Sequence, residues 1–336
     1  MRYYAVKMTD PFFGTVVTFN QTLKVFAPDL LALYTWGSHT IDGILDPGAL
    51  NIELDVPALP FGAFQGNIHA RIWGVGLPEL AQANNLSGYG IEILAGMKAP
   101  YNLNSAALSG QIVNGQIFQS YGNWEGVNQY LDFIIINGTA DPDAEVDISF
   151  SWPAGTPIGT AITAALSVAY PTYEVLGAGL IKQTILAHDE GAHYSSIQSF
   201  AQAIQDMTAS GSYSGVQIYP SGNEIYLYDN LLPQAAIPIS FNDIIGQPTW
   251  ISPTNISFSC VLRGDISIGD LVQLPTGIYP PYALTTAEAA LPNAPSSNRL
   301  AFQGTFYVIE VHHYGNFRQG DADSWRTTYV ATGSGL

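Results

Sequence analysis

The chain has 336 residues, of which 47% are apolar and only 11% charged, a globular composition long enough for two or three cores that excludes a disordered chain. Ten basic residues against 27 acidic ones give a formal net charge of −17. Lys182 is the only cation between Lys98 and Arg263, so a nucleic-acid binder, which must displace counterions with Lys and Arg, is excluded, and anionic membrane surfaces are repelled.

The 33 Gly, 21 Pro and 19 Tyr predict many short strands and turns. In chain order, VVTFNQTLKVF (16–26) predicts two strands around a turn near Asn20-Gln21. Ile52, Leu54 and Val56 alternate in ALNIELDVPALPF, and Ile68, Ala70 and Ile72 alternate in NIHARIWGVG, the period of half-buried strands. Pro78 opens a short helix that Gly88 closes. YGIEILAGM (89–97) is a strand with Ile91 and Ile93 on one face. Asn114-Gly115 predicts a hairpin turn within QIVNGQIFQSYG, and YLDFIIING (130–138) a buried strand.

The texture then changes. The acids of ADPDAEVD (140–147) predict a linker. Thr156 is placed as the cap of a helix with Pro157 in its first position. Ile158, Ile162 and Leu166 recur every four residues until Pro171 ends the run. A second helix covers 195–207, with Ile197, Phe200, Ala201 and Ile204 on one face. A hairpin follows around Ser221-Gly222-Asn223. Strands return from residue 232, among them TWISPTNISFSCVL, and the chain ends in two strands joined by a polar turn. The segment 276–298, rich in Pro, Ala and Ser, is long for an ordinary loop. The expected fold class is therefore mainly β with an α+β insertion, in three parts: a β domain over 1–139, a small α+β module over 140–231 and a second β domain over 232–336.

No residue is assigned a catalytic, cofactor-binding or metal-binding role. His188 and His193 are five apart, which on a helix turns them about 140° from each other, and an exposed polar turn is the simpler reading. His312 and His313 sit on a strand and point to opposite faces, one buried or hydrogen-bonded and the other exposed. Asp141, Asp143, Glu145 and Asp147 open like a calcium loop, but Val146 stands where the glycine is required. There is no nucleophile elbow, phosphate loop or dinucleotide fingerprint. The abundant Tyr and Trp read as cross-strand packing. Cys260, the only cysteine, reads as a small buried hydrophobe. No signal-peptide pattern and no run of about twenty apolar residues is present, so a protein folded in a cytoplasm is expected.

Several stretches in order carry a resemblance. They are FQGNIHARIWGVG and YGIEILAGM, then GQIVNGQIFQSYGNWEGVNQYLDFIII. The module has ISFSWPAGTPIGTAITAALSVAYP, IQSFAQAIQDM and GVQIYPSGNEIYLYD. The last part has FNDIIGQPTWISPTNISFSCVLRGDISIGDLVQLP and FYVIEVHHYGNFRQGDADSWRTTYVA. Together these resemble the baseplate hub proteins of contractile-tailed, Mu-like bacteriophages, from about residue 60 to 331. The resemblance implies two tail-tube-like β-barrel domains flanking the module. It implies a homotrimer whose six barrels join a sixfold tail tube to a threefold central spike. Implied partners are the spike, the tail tube protein, other baseplate proteins and the tape measure protein. DNA passes through the lumen without specific binding. The implied place is the tail baseplate of the virion, assembled in the host cytoplasm, with no enzymatic activity and no cofactor. Acidic lumen walls would let the DNA slide. The alternatives are a carbohydrate-directed tail protein, either a cell-wall glycan hydrolase or a receptor-binding fibre, and the equivalent hub of a phage-derived injection machine.

Within VLRGDISIGDLVQLP (261–275), Arg263-Gly264-Asp265 matches an integrin-binding tripeptide. The sequence reading instead places Ile266 and Ile268 on a short strand between two Gly-Asp corners. It gives Gly264 and Gly269 the positive φ such corners need and pairs Arg263 with a carboxylate.

Overall fold

The computed structural model describes residues 1–20, 24–58, 68–98, 108–138, 146–211, 213–221, 223–231, 235–275 and 304–333. The first part holds β1 (Arg2–Thr9), β2 (Val16–Asn20), β3 (Val25–Asp29), β4 (Trp36–Gly37), β5 (Asn51–Ala58), β6 (Ile68–Trp73), the one-turn helix α1 (Leu77–Leu80), β7 (Gly90–Met97), β8 (Gly110–Glu125) and β9 (Asn128–Asn137). The middle holds β10 (Ile148–Trp152), α2 (Ile158–Ala169), β11 (Glu174–Leu176), β12 (Glu190–Tyr194), α3 (Ile197–Thr208), β13 (Gln217–Ser221) and β14 (Glu224–Tyr228). The last part holds β15 (Ile237–Pro238), β16 (Ile244–Trp250), β17 (Asn255–Val261), β18 (Leu271–Leu274), β19 (Gly304–Asn316) and β20 (Trp325–Gly333). The protein is mostly β, with few helices.

Period-2 patterning governs the strands. Ile52, Leu54 and Val56 of β5 are fully buried, as are Ile68, Ala70 and Ile72 of β6. They meet Tyr4, Ile93 and Phe133 in a first core. In the middle, Ile158, Ile162 and Leu166 of α2 meet Phe200 and Ile204 of α3 over Phe150 and Trp152 of β10 in a second core. Each such Ile or Leu contributes about 1.5–3 kcal/mol by leaving water. Ser196 caps α3 by accepting from the Ser199 amide, which satisfies one orphan donor of its first turn. Ile256, Phe258, Val272, Val308 and Tyr329 form a third core.

One connection was not visible in the sequence. The two β parts are a single sheet in the order β3-β2-β1-β7-β8-β9-β6-β5-β19-β20-β17-β16, with β18 also pairing β19. The joint is β5 against β19, antiparallel from Ala58–Val311 to Asp55–Tyr314 and on to Glu53–Asn316. The mainly β class therefore holds, with the two longer helices, α2 and α3, in the middle part and the one-turn α1 in the first. The sheet does not close into separate barrels among the described residues, because β5 uses its second edge on β19 rather than on a strand of its own part.

Three local expectations change. Asn114-Gly115 is not a turn: β8 runs straight through it. Glycine is needed there because a Cβ would lie 1.9 Å from the Ile136 carbonyl oxygen across the ladder. The turn falls instead at Gly126-Val127, where Gly126 has φ +62° and Glu125 pairs with Asn128. Thr156 does not cap α2; Pro157 occupies the cap position in extended conformation, with no side-chain cap. His193 lies on a strand, β12, which pairs with β10 through Ser149–His193, rather than on a polar turn. The turn after Asn20, the hairpin turn at 222, residues 140–145 of the acidic run 140–147 and the segment 276–298 lie outside the described residues.

Candidate functional site

The feature that fixes the two β parts relative to each other is a seam built around Arg263-Gly264-Asp265. β17 ends at Val261, and the next residues leave the third core for the first. Leu262 is fully buried among first-core residues together with Trp325. Its amide donates to the Trp325 carbonyl at 2.9 Å, and the Trp325 indole donates to the Gly96 carbonyl on β7 at 3.0 Å. The Gly264 amide donates to the Leu108 carbonyl at 3.2 Å. A Cβ on Gly264 would stand 2.6–2.7 Å from the N, C and O of Gly110 at the start of β8, and one on Gly110 would stand 2.0 Å from the Gly264 oxygen. Two glycines thus let two backbones touch where any side chain would hold them apart.

Arg263 is buried, with only 2% of the residue exposed. Its Nε donates to Asp265 Oδ1 at 2.9 Å and its Nη2 to Asp265 Oδ2 at 2.7 Å, while Nη1 lies 3.6 Å from Asp243 Oδ2. Burial alone would lower the Arg263 pKa. The hydrogen bonds and charge of Asp265 more than offset it, leaving the guanidinium above its ordinary value. Burial pushes the Asp243 carboxyl up, against the pull of Arg263. The expected Arg–carboxylate pair is present, and a buried guanidinium is not offered to an integrin. Asp265→Asn should cost about 2 kcal/mol, the upper end reduced by the partial exposure of that carboxylate. Urea denaturation of the variant measures it, and an unchanged midpoint would show that Asp243 alone suffices.

Two details of the loop differ from the sequence reading. Gly264 is not in the positive-φ region; its role is the close approach to Gly110. Gly269 does have φ +88°, and a Cβ there would also meet the Tyr228 ring at 2.9 Å. Ile266 and Ile268 are buried but lie in the loop before β18 rather than on a strand.

The paired histidines behave as their alternation predicts. His312 is exposed and its Nε2 meets Asp55 Oδ1 at 2.5 Å across the β5–β19 joint. His313 is buried, and its Nδ1 lies 2.9 Å from Thr327 Oγ1; burial lowers its pKa to about 3. It lines a cavity of about 60 Å³ where all three parts of the chain meet, with Asn114, Asn137, Tyr219, Ile266 and Ile268. Asn137 ties the middle part to β9 by donating to Tyr219 Oη at 3.1 Å and to the Pro220 carbonyl at 2.8 Å.

The other sequence candidates form at most surface pairs, and among the described residues no three His, Cys, Asp or Glu side chains gather to hold a metal. His188 lies 3.6 Å from Glu190 and His193 3.4 Å from Asp147, all at the surface. Trp73 and Tyr130 are a cross-strand pair with ring centroids 4.5 Å apart, and the Arg71 guanidinium lies over the Tyr130 ring while holding Asp132 at 2.6 Å. Burial pushes the Cys260 thiol up to about 12. A cleft of about 280 Å³ between the middle and last parts holds Asp229 and Glu310. Asp229, however, already accepts from the Lys182 and Leu231 amides and from the Tyr213 hydroxyl.

No protein-family sequence profile matches the chain, and no curated protein does. Solved structures do. The 43 kDa tail protein of prophage MuSo2 from Shewanella oneidensis superposes with a TM-score of 0.51 at 8% identity, covering 99% of this chain and 97% of that one. A tail protein from Neisseria meningitidis MC58 gives 0.46 at 10% identity over 99% and 97%. The c3393 protein of E. coli, described as a type VI secretion component with structural similarity to the T4 tail proteins gp27 and gp5, gives 0.49 at 7% identity over 84% and 73%. The chain therefore shares, over nearly its whole length, the fold of the MuSo2 prophage tail protein.

Proposed function

We propose that the chain is a structural component of a contractile phage tail, specifically the baseplate hub. Three copies would form a ring that adapts a sixfold tail tube to a threefold central spike and surrounds the channel for DNA. The observation that carries this reading is the fold shared end to end with a phage tail protein. The seam supports it. A symmetry adaptor needs two interfaces per subunit at a fixed spacing, and the β5–β19 joint with the Gly110–Gly264 contact holds the two β parts together. The role is mechanical rather than catalytic, and the place is the virion tail tip. The net charge of −17 suits a channel wall that repels phosphate; a map of the assembled tip with acids only on its outside would sink that element.

Light scattering tests the central point. A trimer of about three times 36.1 kDa is expected, alone or with the spike protein. Because each subunit is strongly anionic, trimerisation should strengthen as salt is raised from low ionic strength toward about 0.15 M, where the Debye length falls to about 8 Å. A chain that stays monomeric with its spike under both conditions overturns the hub reading.

A further inference from the structure

We propose that one end of the first β part is a docking face for a different protein, one presenting an apolar surface rimmed by Lys and Arg. The choice of partner rests on the hub reading; the face itself is read from the strand register. Thr9 pairs with Val16 and with Gly90, Val16 with Asp29, and Gly90 with Gln116. These positions lie level across β3, β2, β1, β7 and β8. Beyond that level, at the same end, come the turn after β1, the segment after β3 and the projecting β8–β9 hairpin, while α1 touches β3, β8 and β9 and so links them.

This end is apolar and exposed. Phe12 is 89% exposed in the first turn, Leu31 94% in the second segment, and Val127 95% at the hairpin tip. Phe13, Leu30 and Trp124 are exposed beside them. Single exposed apolar residues are ordinary, but such a collection at one end of a soluble domain marks an interface.

The charge around it selects the occupant. Segments 10–15, 29–35, 77–89 and 118–128 contain no Lys, Arg or His, while Asp29, Glu79 and Glu125 lie within them. Two copies meeting end to end would set one acidic rim against another. Among the described residues, Arg2 is committed to backbone carbonyls near residue 317, Lys7 to Glu92, Arg71 to Asp132, Arg263 to Asp265 and Arg326 to Asp323. A second copy is therefore a poor complement. A partner with a basic rim gains both steering and specificity.

The test uses the full chain with the purified tail tube protein and central spike protein of the same particle. Leu31→Glu and Val127→Glu, both at exposed positions, should leave the melting temperature and the trimer unchanged and weaken binding to one of those proteins at least tenfold. Glu125→Lys should weaken the same binding, most at low salt. Binding that survives the first two substitutions overturns the proposal with the hub reading intact, as does a wild-type trimer that binds neither protein. Loss of the trimer on those substitutions makes the face a contact between copies, and tighter binding by Glu125→Lys reverses the assigned charge; either result overturns it. A wild-type chain that neither trimerises nor binds overturns the hub reading and the docking face together.

Discussion

Gly264→Val should destabilise the chain by about 3 kcal/mol or more and lower its melting temperature by roughly 4 °C or more. The reason is geometric. The new Cβ would lie within 2.7 Å of three backbone atoms of Gly110, and backbone cannot rotate aside as a long side chain can. Relief requires the loop after β17 to lift from the start of β8. That movement would pull on the Gly264–Leu108 hydrogen bond and disturb Leu262 in the first core. Gly110→Ala should be at least as damaging, since its Cβ would lie 2.0 Å from the Gly264 oxygen. Gly126→Ala provides the contrast. Its position has φ +62° but open space around it, so it should lose only about 1 kcal/mol, the cost of a left-handed backbone. Thermal unfolding followed by circular dichroism checks all three, and a Gly264→Val protein as stable as Gly126→Ala would refute the seam.

The pH dependence of stability should carry the signature of His313. Its ordinary pKa is 6.5, and burial holds it at about 3 in the folded protein. The unfolded chain therefore takes up a proton below pH 6.5 that the folded chain refuses. Stability is complete above pH 6.5 and falls as pH drops toward 3, by up to about 1.4 kcal/mol per pH unit. His39 adds in the same direction, because burial lowers its pKa too. Burial raises the Asp243 and Asp270 carboxyls, which opposes the trend once pH nears the carboxylate range. The comparison that isolates the histidine is His313→Gln against the parent between pH 7.5 and 4.5, by urea midpoint. The variant should be less stable at pH 7.5 and have a shallower acid slope. Parallel curves would mean that His313 becomes protonated without cost.

What could be read in the sequence was local and periodic. The alternation of Ile52, Leu54 and Val56, the four-residue recurrence of Ile158, Ile162 and Leu166, and the helix over 195–207 with Ile197, Phe200, Ala201 and Ile204 on one side each follow from burying one face. What could not be read depends on distant backbone. Asn114-Gly115 has the chemistry of a hairpin turn, yet its glycine is taken up by the approach of Ile136 from β9. Gly264 looked like a corner glycine, and its reason lies at Gly110. His312 and His313 showed their opposite faces through period two, but nothing local says that Asp55 waits across a joint or that Thr327 lies beneath. The apolar end was equally hidden, since Phe12, Leu31 and Val127 belong to three separate turns that only the register of β1, β2, β3, β7 and β8 brings to one place.

The β5–β19 joint has a consequence for how the protein is made. Glu53 accepts a hydrogen bond from Asn316, 263 residues later. A ribosome adding about 5–20 residues per second needs roughly 13 to 50 s to span that interval. Throughout it, β5 has left the ribosome with one edge unpaired, an invitation to pair with the same strand of a neighbouring nascent chain. Leu262 and then Trp325, which complete the first core, also arrive long after β5. The first part should therefore emerge as a folding intermediate rather than a finished domain. Yield during expression should depend on chaperones that shield that edge until β19 arrives, and slower synthesis should lengthen the interval at risk.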